Sequence, residues 1–364
     1  MPEAARHIGL LLHDFRLGGS ERIAIRLARE WAARGRRVSL FVGEDNGPMR
    51  ELVDPAVAIH VFVQDYQRSK WHTRRLARWA AGAALAAGVD VMFLPGNSYF
   101  RAIPELSRNL PVFTKLSNPI VRADKNPVRN LVFRLATERR WRGLAGLVVC
   151  SEGQAGEIQH QVRPRVPVSV IANPILDELP QMATVAKVPG QLCAVGRLEL
   201  QKDYPLLLRA FALLGDLPLK LRIAGDGNLN AFLRQLAQDL GIADRVEFLG
   251  TVRDAGPLLA ESAALLLSSR YEGSSAVCVE ALAAGTRVIA CDAGAGVRDI
   301  LHDARIGTIV GQRTPQAFAS AVREFLQRRD FDAAAARQVV AGHVIGPIAE
   351  RYLQLLDAGV VARG

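Results

Sequence analysis

Short uninterrupted apolar runs alternate along the chain with longer stretches whose apolar residues recur every three or four positions. Ile8–Leu12 is the first run. Gly18-Gly19-Ser20 then turns into a segment carrying Ile23, Ile25, Leu27, Ala28 and Trp31, which ends at Arg34-Gly35. Val38–Val42 is the next run, and Val57–Val63, Val91–Leu94, Val112–Lys115, Leu147–Cys150 and Val168–Ile171 continue the series. Uninterrupted runs predict strands buried on both faces, and the periodic stretches predict helices that cover them. Their alternation predicts a parallel sheet.

The pattern then restarts. Gln191–Val195 reads as a strand leading into Gly196-Arg197, followed by a helix over Tyr204–Leu214 and a strand over Leu219–Ala224. A helix over Leu229–Leu240 stops at Gly241, and strands over Val246–Leu249, Ala264–Leu267 and Val288–Cys291 follow. Between the two series, Asn173–Gly190 contains Pro174, Pro180 and Pro189, the composition of a linker. A length of 364 residues also suits two domains at roughly 150 residues each. The expected fold class is α/β, with two Rossmann-like doubly wound domains facing across a cleft. The first covers 1–175 and the second 180–344, while a helix within 345–364 is expected to pack back on the first. In such folds ligands bind at the carboxyl ends of the strands.

Hydrophobic residues make up 49% and charged residues 23%, as in ordinary globular proteins. No segment approaches the ~18 apolar residues of a membrane span. The first apolar run is cut short by His13 and Asp14, too early for a secretory signal, so the expected location is the cytoplasm. Cys150, Cys193, Cys278 and Cys291 are scattered without metal-ligand spacing and read as small buried side chains in a reducing compartment. The net charge of +10 is uneven, since residues 1–180 hold 26 Lys and Arg against 17 Asp and Glu. The excess clusters in Arg68, Lys70, Arg74, Arg75 and Arg78, and in Arg129, Arg134, Arg139, Arg140 and Arg142. Such a field favours a membrane leaflet, a pyrophosphate-linked lipid, an acidic glycan or nucleic acid. A solvated helix surface would carry the same residues.

Three clusters carry candidate chemistry. In Gly196-Arg197-Leu198-Glu199-Leu200-Gln201-Lys202, a strand end delivers an arginine and then a lysine just before a helix. Two cations there suit a departing diphosphate, the guanidinium chelating oxygens and the ammonium acting as a point charge. They also fit the exposed start of a helix. Glu272 and Glu280 flank Gly273-Ser274-Ser275-Ala276-Val277, a turn that exposes backbone N–H groups at a helix start. Each carboxylate could accept hydrogen bonds from vicinal hydroxyls. Glu280 sits among Val277, Val279, Leu282 and Ala283, where an unpaired charge would cost several kcal/mol. Gly18-Gly19-Ser20-Glu21 opens the first helix, where glycine lets backbone approach a phosphate. It is not the G-x-G-x-x-G of a dinucleotide fold, and Glu44 is only a marginal acidic partner.

Taken together these residues resemble the family 4 retaining glycosyltransferases of the two-Rossmann-domain (GT-B) type, over nearly the full length. Further markers are Ile171-Ala172-Asn173-Pro174, Ile223-Ala224-Gly225-Asp226-Gly227 and Val246-Glu247-Phe248-Leu249-Gly250. The resemblance implies a metal-independent transferase without cofactor. Such an enzyme moves a hexose or N-acetylhexosamine from a nucleotide diphosphate sugar, a UDP-sugar foremost, to a lipid-linked or polysaccharide acceptor. Arg197 and Lys202 would grip the donor diphosphate, Glu272 the transferred sugar and Glu280 the ribose. Ser274, Ser275, Ala276 and Val277 would touch sugar or phosphate, Gly18 and Gly19 would close on the diphosphate, and Thr251 and Val252 would meet the base. Asp226 and Gly227 complete the donor side. Many relatives carry a histidine after an N-terminal strand where this chain reads Thr114-Lys115-Leu116-Ser117-Asn118-Pro119. Ser117 and Asn118 are therefore acceptor-side candidates, with His13, which also reads as a structural histidine. The basic stretch Arg68–Arg78, with Trp71 and Trp79, is expected to dock on an anionic leaflet, making the enzyme peripheral at the inner membrane face.

Two other classes share some of these features. A nucleotide-sugar epimerase has the same architecture but depends on acid/base carboxylates and histidines around the sugar, and donor incubated without acceptor separates the two. A non-enzymatic membrane or nucleic-acid binder would account for the charge, although no nucleic-acid motif or aromatic stacking platform accompanies it.

Overall fold

The apolar runs become two parallel sheets. In a computed structural model describing residues 4–62, 65–121, 126–181, 185–328 and 331–362, the chain divides into Met1–Glu178 with Val344–Gly364 (unit one) and Leu179–His343 (unit two). Val63, residues 182–184 of the expected linker and the last two residues, 363–364, lie outside the described residues.

Unit one contains β1 (His7–Leu12), β2 (Arg37–Val42), β3 (Ala58–Val61), β4 (Val91–Leu94), β5 (Val112–Lys115), β6 (Gly146–Val149) and β7 (Val168–Val170). They form one sheet in the order β3-β2-β1-β4-β5-β6-β7, parallel throughout. Position in the sheet explains composition. Central β1 and β4 are buried at every residue, whereas edge strands β3 and β7 have no fully buried residue. Unit two repeats the plan with β8 (Gln191–Val195), β9 (Lys220–Ala224), β10 (Val246–Gly250), β11 (Ala264–Leu267), β12 (Arg287–Cys291) and β13 (Gly307–Val310). Its order is β10-β9-β8-β11-β12-β13. Strand β13 is absent from the sequence reading because Gly307 and Thr308 interrupt its apolar run and its middle is only half-buried. In each unit the winding reverses beside the first strand, between β1 and β4 and between β8 and β11, which is where ligands gather in open α/β sheets.

Helix Ile345–Val361 belongs to unit one. Its Tyr352 meets Trp31 and Phe93 edge-on at centroid distances of 6.1 and 5.2 Å. Trp31 Nε1 donates to the Ala349 carbonyl at 3.2 Å, and Arg36 pairs with Asp357 at 2.9 Å. Burial of Ile345, Ile348, Tyr352, Leu353 and Leu356 gives this helix the apolar face that holds it there. At about 1.5–3 kcal/mol per large side chain, such a face is a major part of a domain's stability.

One expectation about the surface is corrected. Trp79 does not face solvent on helix Lys70–Ala86; it packs edge-on against Phe62 and Phe41 at 5.5 and 6.1 Å. Trp71 is 81% exposed, while Arg74 and Arg78 both reach the buried carboxylate of Glu105. The helix buries Leu76, Ala77 and Ala80, and Trp79 lies close enough to that stripe to be drawn into it.

Candidate functional site

In unit two the loops after β8, β9, β10 and β11 are tied to one another by their backbones. Gly225 N–H donates to the Gly250 carbonyl at 2.7 Å, Gly196 N–H to Ala224 at 2.9 Å and Leu198 N–H to Asp226 at 2.9 Å. Gly225 has φ of +141°, and a Cβ there would lie 2.0 Å from the Gly196 carbonyl oxygen, so only glycine permits this crossing. The crossing brings Gly225-Asp226-Gly227 beside the loop that bears Arg197 and Lys202. Asp226 Oδ1 accepts from Gly227 N–H and from Asn230 Nδ2, both at 2.8 Å, which fixes the turn.

Lys202 Nζ donates to Glu272 Oε1 at 2.6 Å, joining the loops after β8 and β11 through a largely shielded ion pair. Arg197 is placed differently. It remains 59% exposed, with Nη1 2.8 Å from Glu199 Oε1. The Lys202 loop is held in a costly shape, since Asp203 adopts the left-handed region at φ +48°. Arg313 and Arg270 hold the Asp203 carboxylate at 2.8 and 3.1 Å. Arg313 also donates to the Ser269 and Ser268 carbonyls at 2.6 and 2.9 Å. It therefore locks both loops around the Lys202–Glu272 pair. Nothing in the local sequence of either loop announces this arginine, which arrives from beyond β13. We expect Arg313→Ala to destabilise unit two by about 2–3 kcal/mol, the worth of hydrogen bonds to a charged group. Denaturant unfolding monitored with the Lys202–Glu272 pair intact would check it.

Glu272 N–H donates to the Ala293 carbonyl at 2.8 Å, and Gly296 abuts the backbone of Gly273, so the turn Gly273–Ser275 rests on the segment after β12. Helix Ala276–Ala283 follows directly, so Ala276 and Val277 stand in its first turn, where N–H groups have no partner within the helix. Glu280 lies half-buried in its second turn, while Thr251 is exposed and Val252 half-buried after β10. Burial pushes the Cys278 thiol of this helix up to about 12 and the Cys193 thiol of β8 up to about 11. Both stay protonated at neutral pH, as packing residues do.

In unit one the candidates meet at the ends of β1, β4 and β5. A Cβ on Gly96, after β4, would lie 2.6 Å from Ser20 Oγ and 2.9 Å from Ser117 Oγ. The loop with Gly18 and Gly19 and the loop with Ser117 and Asn118 are thus neighbours. Asn97 organises them: its Oδ1 accepts from Ser117 N–H at 2.8 Å and its Nδ2 donates to the Asn118 carbonyl at 2.8 Å. This residue escapes sequence reading because a lone Asn after a strand is ordinary turn chemistry.

His13 is 2% exposed and stacked on Tyr99 at a centroid distance of 4.5 Å, with Nδ1 hydrogen-bonded to the Tyr66 hydroxyl. Burial, reinforced by the Arg68 charge, lowers its pKa to about 3. Beside it Arg68 pairs with Glu21 and with Asp14, and the Tyr99 hydroxyl points at Glu21. A histidine so held is neutral at physiological pH. Its pKa is depressed in the folded state, so the unfolded chain binds more protons between about pH 3 and the ordinary value of 6.5, and stability falls as the pH drops through that window. We expect about 1.6 kcal/mol of the loss between pH 6.5 and 5 to vanish in His13→Asn, as read by unfolding curves at the two pH values.

Known proteins resemble the chain in sequence and in fold. Residues 17–178 match the family model described as Glycosyltransferase Family 4, and residues 178–339 match Glycosyl transferases group 1. A Campylobacter jejuni enzyme, the N-acetylgalactosamine-N,N'-diacetylbacillosaminyl-diphospho-undecaprenol 4-alpha-N-acetylgalactosaminyltransferase, is 34% identical over 119 residues, covering 33% of this chain and 32% of that one. The lipopolysaccharide core biosynthesis glycosyltransferase LpsE of Rhizobium meliloti is 31% identical over 170 residues, 45% of this chain and 48% of its own. The aligned part thus spans about a third to a half of these curated relatives. Among solved structures, Anabaena Alr3699/HepE in complex with UDP superposes with a TM-score of 0.75 at 18% identity, covering 96% of this chain and 99% of that one. At that identity the likeness speaks for the fold.

Proposed function

This chain belongs to the glycosyltransferases of family 4 and group 1, and on that premise we propose that it moves a hexose or N-acetylhexosamine from a nucleotide diphosphate sugar to a lipid-linked glycan. Unit two takes the donor and unit one the acceptor. The reading rests chiefly on one observation, the Lys202 ammonium 2.6 Å from Glu272 at the ends of β8 and β11, the reversal point of the sheet. An ammonium there meets the donor's diphosphate and a carboxylate meets its sugar hydroxyls, in the roles the resemblance gives Lys202 and Glu272. Arg197, exposed and joined among the described residues only to the neighbouring Glu199, is free to turn onto the same phosphates.

In the proposed step the acceptor oxygen bonds to the anomeric carbon as the bond from that carbon to the β-phosphate oxygen breaks. The phosphate oxygen keeps the electron pair and takes the acceptor's hydroxyl proton on the same face, so the anomeric configuration is retained and no side-chain base is needed. Protein cations neutralise the leaving group in place of a divalent ion. The N-terminal candidates, His13 included, then serve to shape the acceptor's place.

A diphospho-undecaprenol-linked acceptor, as named for the Campylobacter relative, supports the choice of lipid-linked glycan, and the UDP of the Anabaena structure supports uridine as the donor nucleotide. Helix Pro127–Trp141 supports a membrane-peripheral location. It exposes Val128, Leu131, Val132 and Leu135 at helical spacing, interleaved with Arg129 and Arg139. This face takes over the docking role expected of Trp71 and Trp79.

The test is a panel of UDP- and GDP-sugars with a diphosphate-linked acceptor, the product anomer being assigned by NMR. Turnover with retained configuration, unchanged by a chelator, is expected. Isomerised donor without transfer would overturn the reading. Flotation with anionic vesicles at ~0.1 M salt tests the membrane face, and Val132→Asp on the exposed stripe is expected to abolish it.

A further inference from the structure

Beside the loops assigned above, and sharing His13 and Asn97 with them, unit one forms an open pocket of about 320 Å³, at the small end of ligand pockets. Arg68, Lys70, Arg101 and Arg140 line it, with no carboxylate among its described lining residues. Arg68 is engaged by Glu21 and Asp14. Lys70, Arg101 and Arg140 have no acidic partner among the described residues. Burial, and then the like charges of Arg101 and Arg74, pull the Arg140 guanidinium below its ordinary range. These cations repel one another, and an anion among them would relieve that repulsion. Helix Lys70–Ala86 begins at the pocket wall with Ser69 as its cap, adding a positive helix end. Phe100 and Phe133 supply an apolar side. Arg140 and Phe133 lie seven residues apart on one helix and so share a face.

We propose that this pocket seats the diphosphate of the acceptor, with Arg101 and Arg140 as its two guanidinium forks and Lys70 as a third, mobile charge. The assignment rests on the lipid-linked acceptor reading and adds to it the place where the acceptor's phosphates are recognised. Guanidinium pairs match diphosphate oxygens bidentately, and an apolar wall suits the first carbons of a lipid chain. A carbohydrate without phosphate would leave these charges unmatched.

Two measurements on the full chain test this. In the first, inorganic pyrophosphate is titrated calorimetrically into protein with and without saturating UDP. Binding that survives UDP, weakens with salt and falls at least about tenfold in both Arg101→Ala and Arg140→Ala, with partial recovery in Arg140→Lys, is the expected result. Binding that UDP abolishes would assign the anion to the donor site and overturn the proposal, as would variants that bind like the parent. In the second, transfer is measured to one glycan presented with and without a prenyl diphosphate. The acceptor KM should rise at least about tenfold in Arg101→Ala with the diphosphate and stay level without it, while the donor KM is unchanged. Equal losses on both acceptors would mean a merely structural role and sink the idea. If no acceptor is glycosylated, the transferase reading fails, and the pyrophosphate titration still decides the pocket. Affinity for anionic vesicles that drops in Arg101→Ala while pyrophosphate fails to bind would make these residues a membrane contact instead, again against the proposal.

Discussion

Lys202→Gln is expected to lower the transfer rate about 10²–10³-fold while the protein stays folded. This is the range seen when one preorganised donor to developing negative charge is removed. The variant isolates charge from structure. Glutamine can still donate to Glu272 Oε1, the partner Lys202 holds at 2.6 Å, so the loops after β8 and β11 remain joined. Lys202→Ala is a blunter tool, because it takes from a largely buried carboxylate its hydrogen-bond donor as well as its cation and so costs more stability. Single-turnover kinetics on Lys202→Gln should show the loss in the chemical step, with its unfolding midpoint close to that of the parent. Near-parental turnover in a folded Lys202→Gln protein would remove the ammonium from the proposed leaving-group role.

The second large effect is expected at a residue that bears no functional group. A Cβ on Gly296 would lie 2.0 Å from the Gly273 carbonyl oxygen and 3.1 Å from Ser274 Cα. Both contacts are backbone, so no side chain can swing away. The turn Gly273–Ser275 must then move by about an ångström, and displacements of that size at a reacting centre cost on the order of 10²-fold in kcat/KM. Gly296→Ala is expected to show this loss, with much of it in donor affinity, by calorimetry with UDP and by initial rates. Gly82, in helix Lys70–Ala86, serves as control because a Cβ there meets nothing within 4 Å, and Gly82→Ala should be neutral or slightly stabilising. Equal behaviour of the two variants would mean that the turn tolerates displacement and that its position is not critical.

What could be read from the sequence follows from which forces are local. Strands such as Val91–Leu94 and Ala264–Leu267 announce themselves because a strand buried on both faces has to be apolar at every position. That Glu272 and Lys202 serve one donor could be anticipated only through the resemblance, and their direct contact not at all, since the two are far apart in sequence and neither sits in a motif that is specific alone. Arg313 and Asn97 were not legible at all. Each acts by hydrogen bonds to backbone carbonyls and amides of other loops, and such bonds leave no trace in residue type. The helix Pro127–Trp141 shows a different limit. Valine and leucine at three- and four-residue spacing signal an apolar stripe, but the same spacing serves a stripe turned to the core and one turned outward. Only Thr137 and Trp141 of that helix are buried, so its most apolar line is the one that faces away. Arg197 likewise gave no sign that Glu199, two residues on, would hold its guanidinium.

The return of helix Ile345–Val361 to unit one has a consequence for how the protein is made. The surfaces of Trp31 and Phe93 that Tyr352 covers emerge from the ribosome well before Tyr352, with the whole of Leu179–His343 made in between. The first half must therefore wait, its sheet laid down but one side uncovered, until Leu179–His343 and then the returning helix have been synthesised. The inserted half has its whole fold in one stretch and can mature during that interval, so a nonsense mutation at Ile345 would spare it and strand its predecessor.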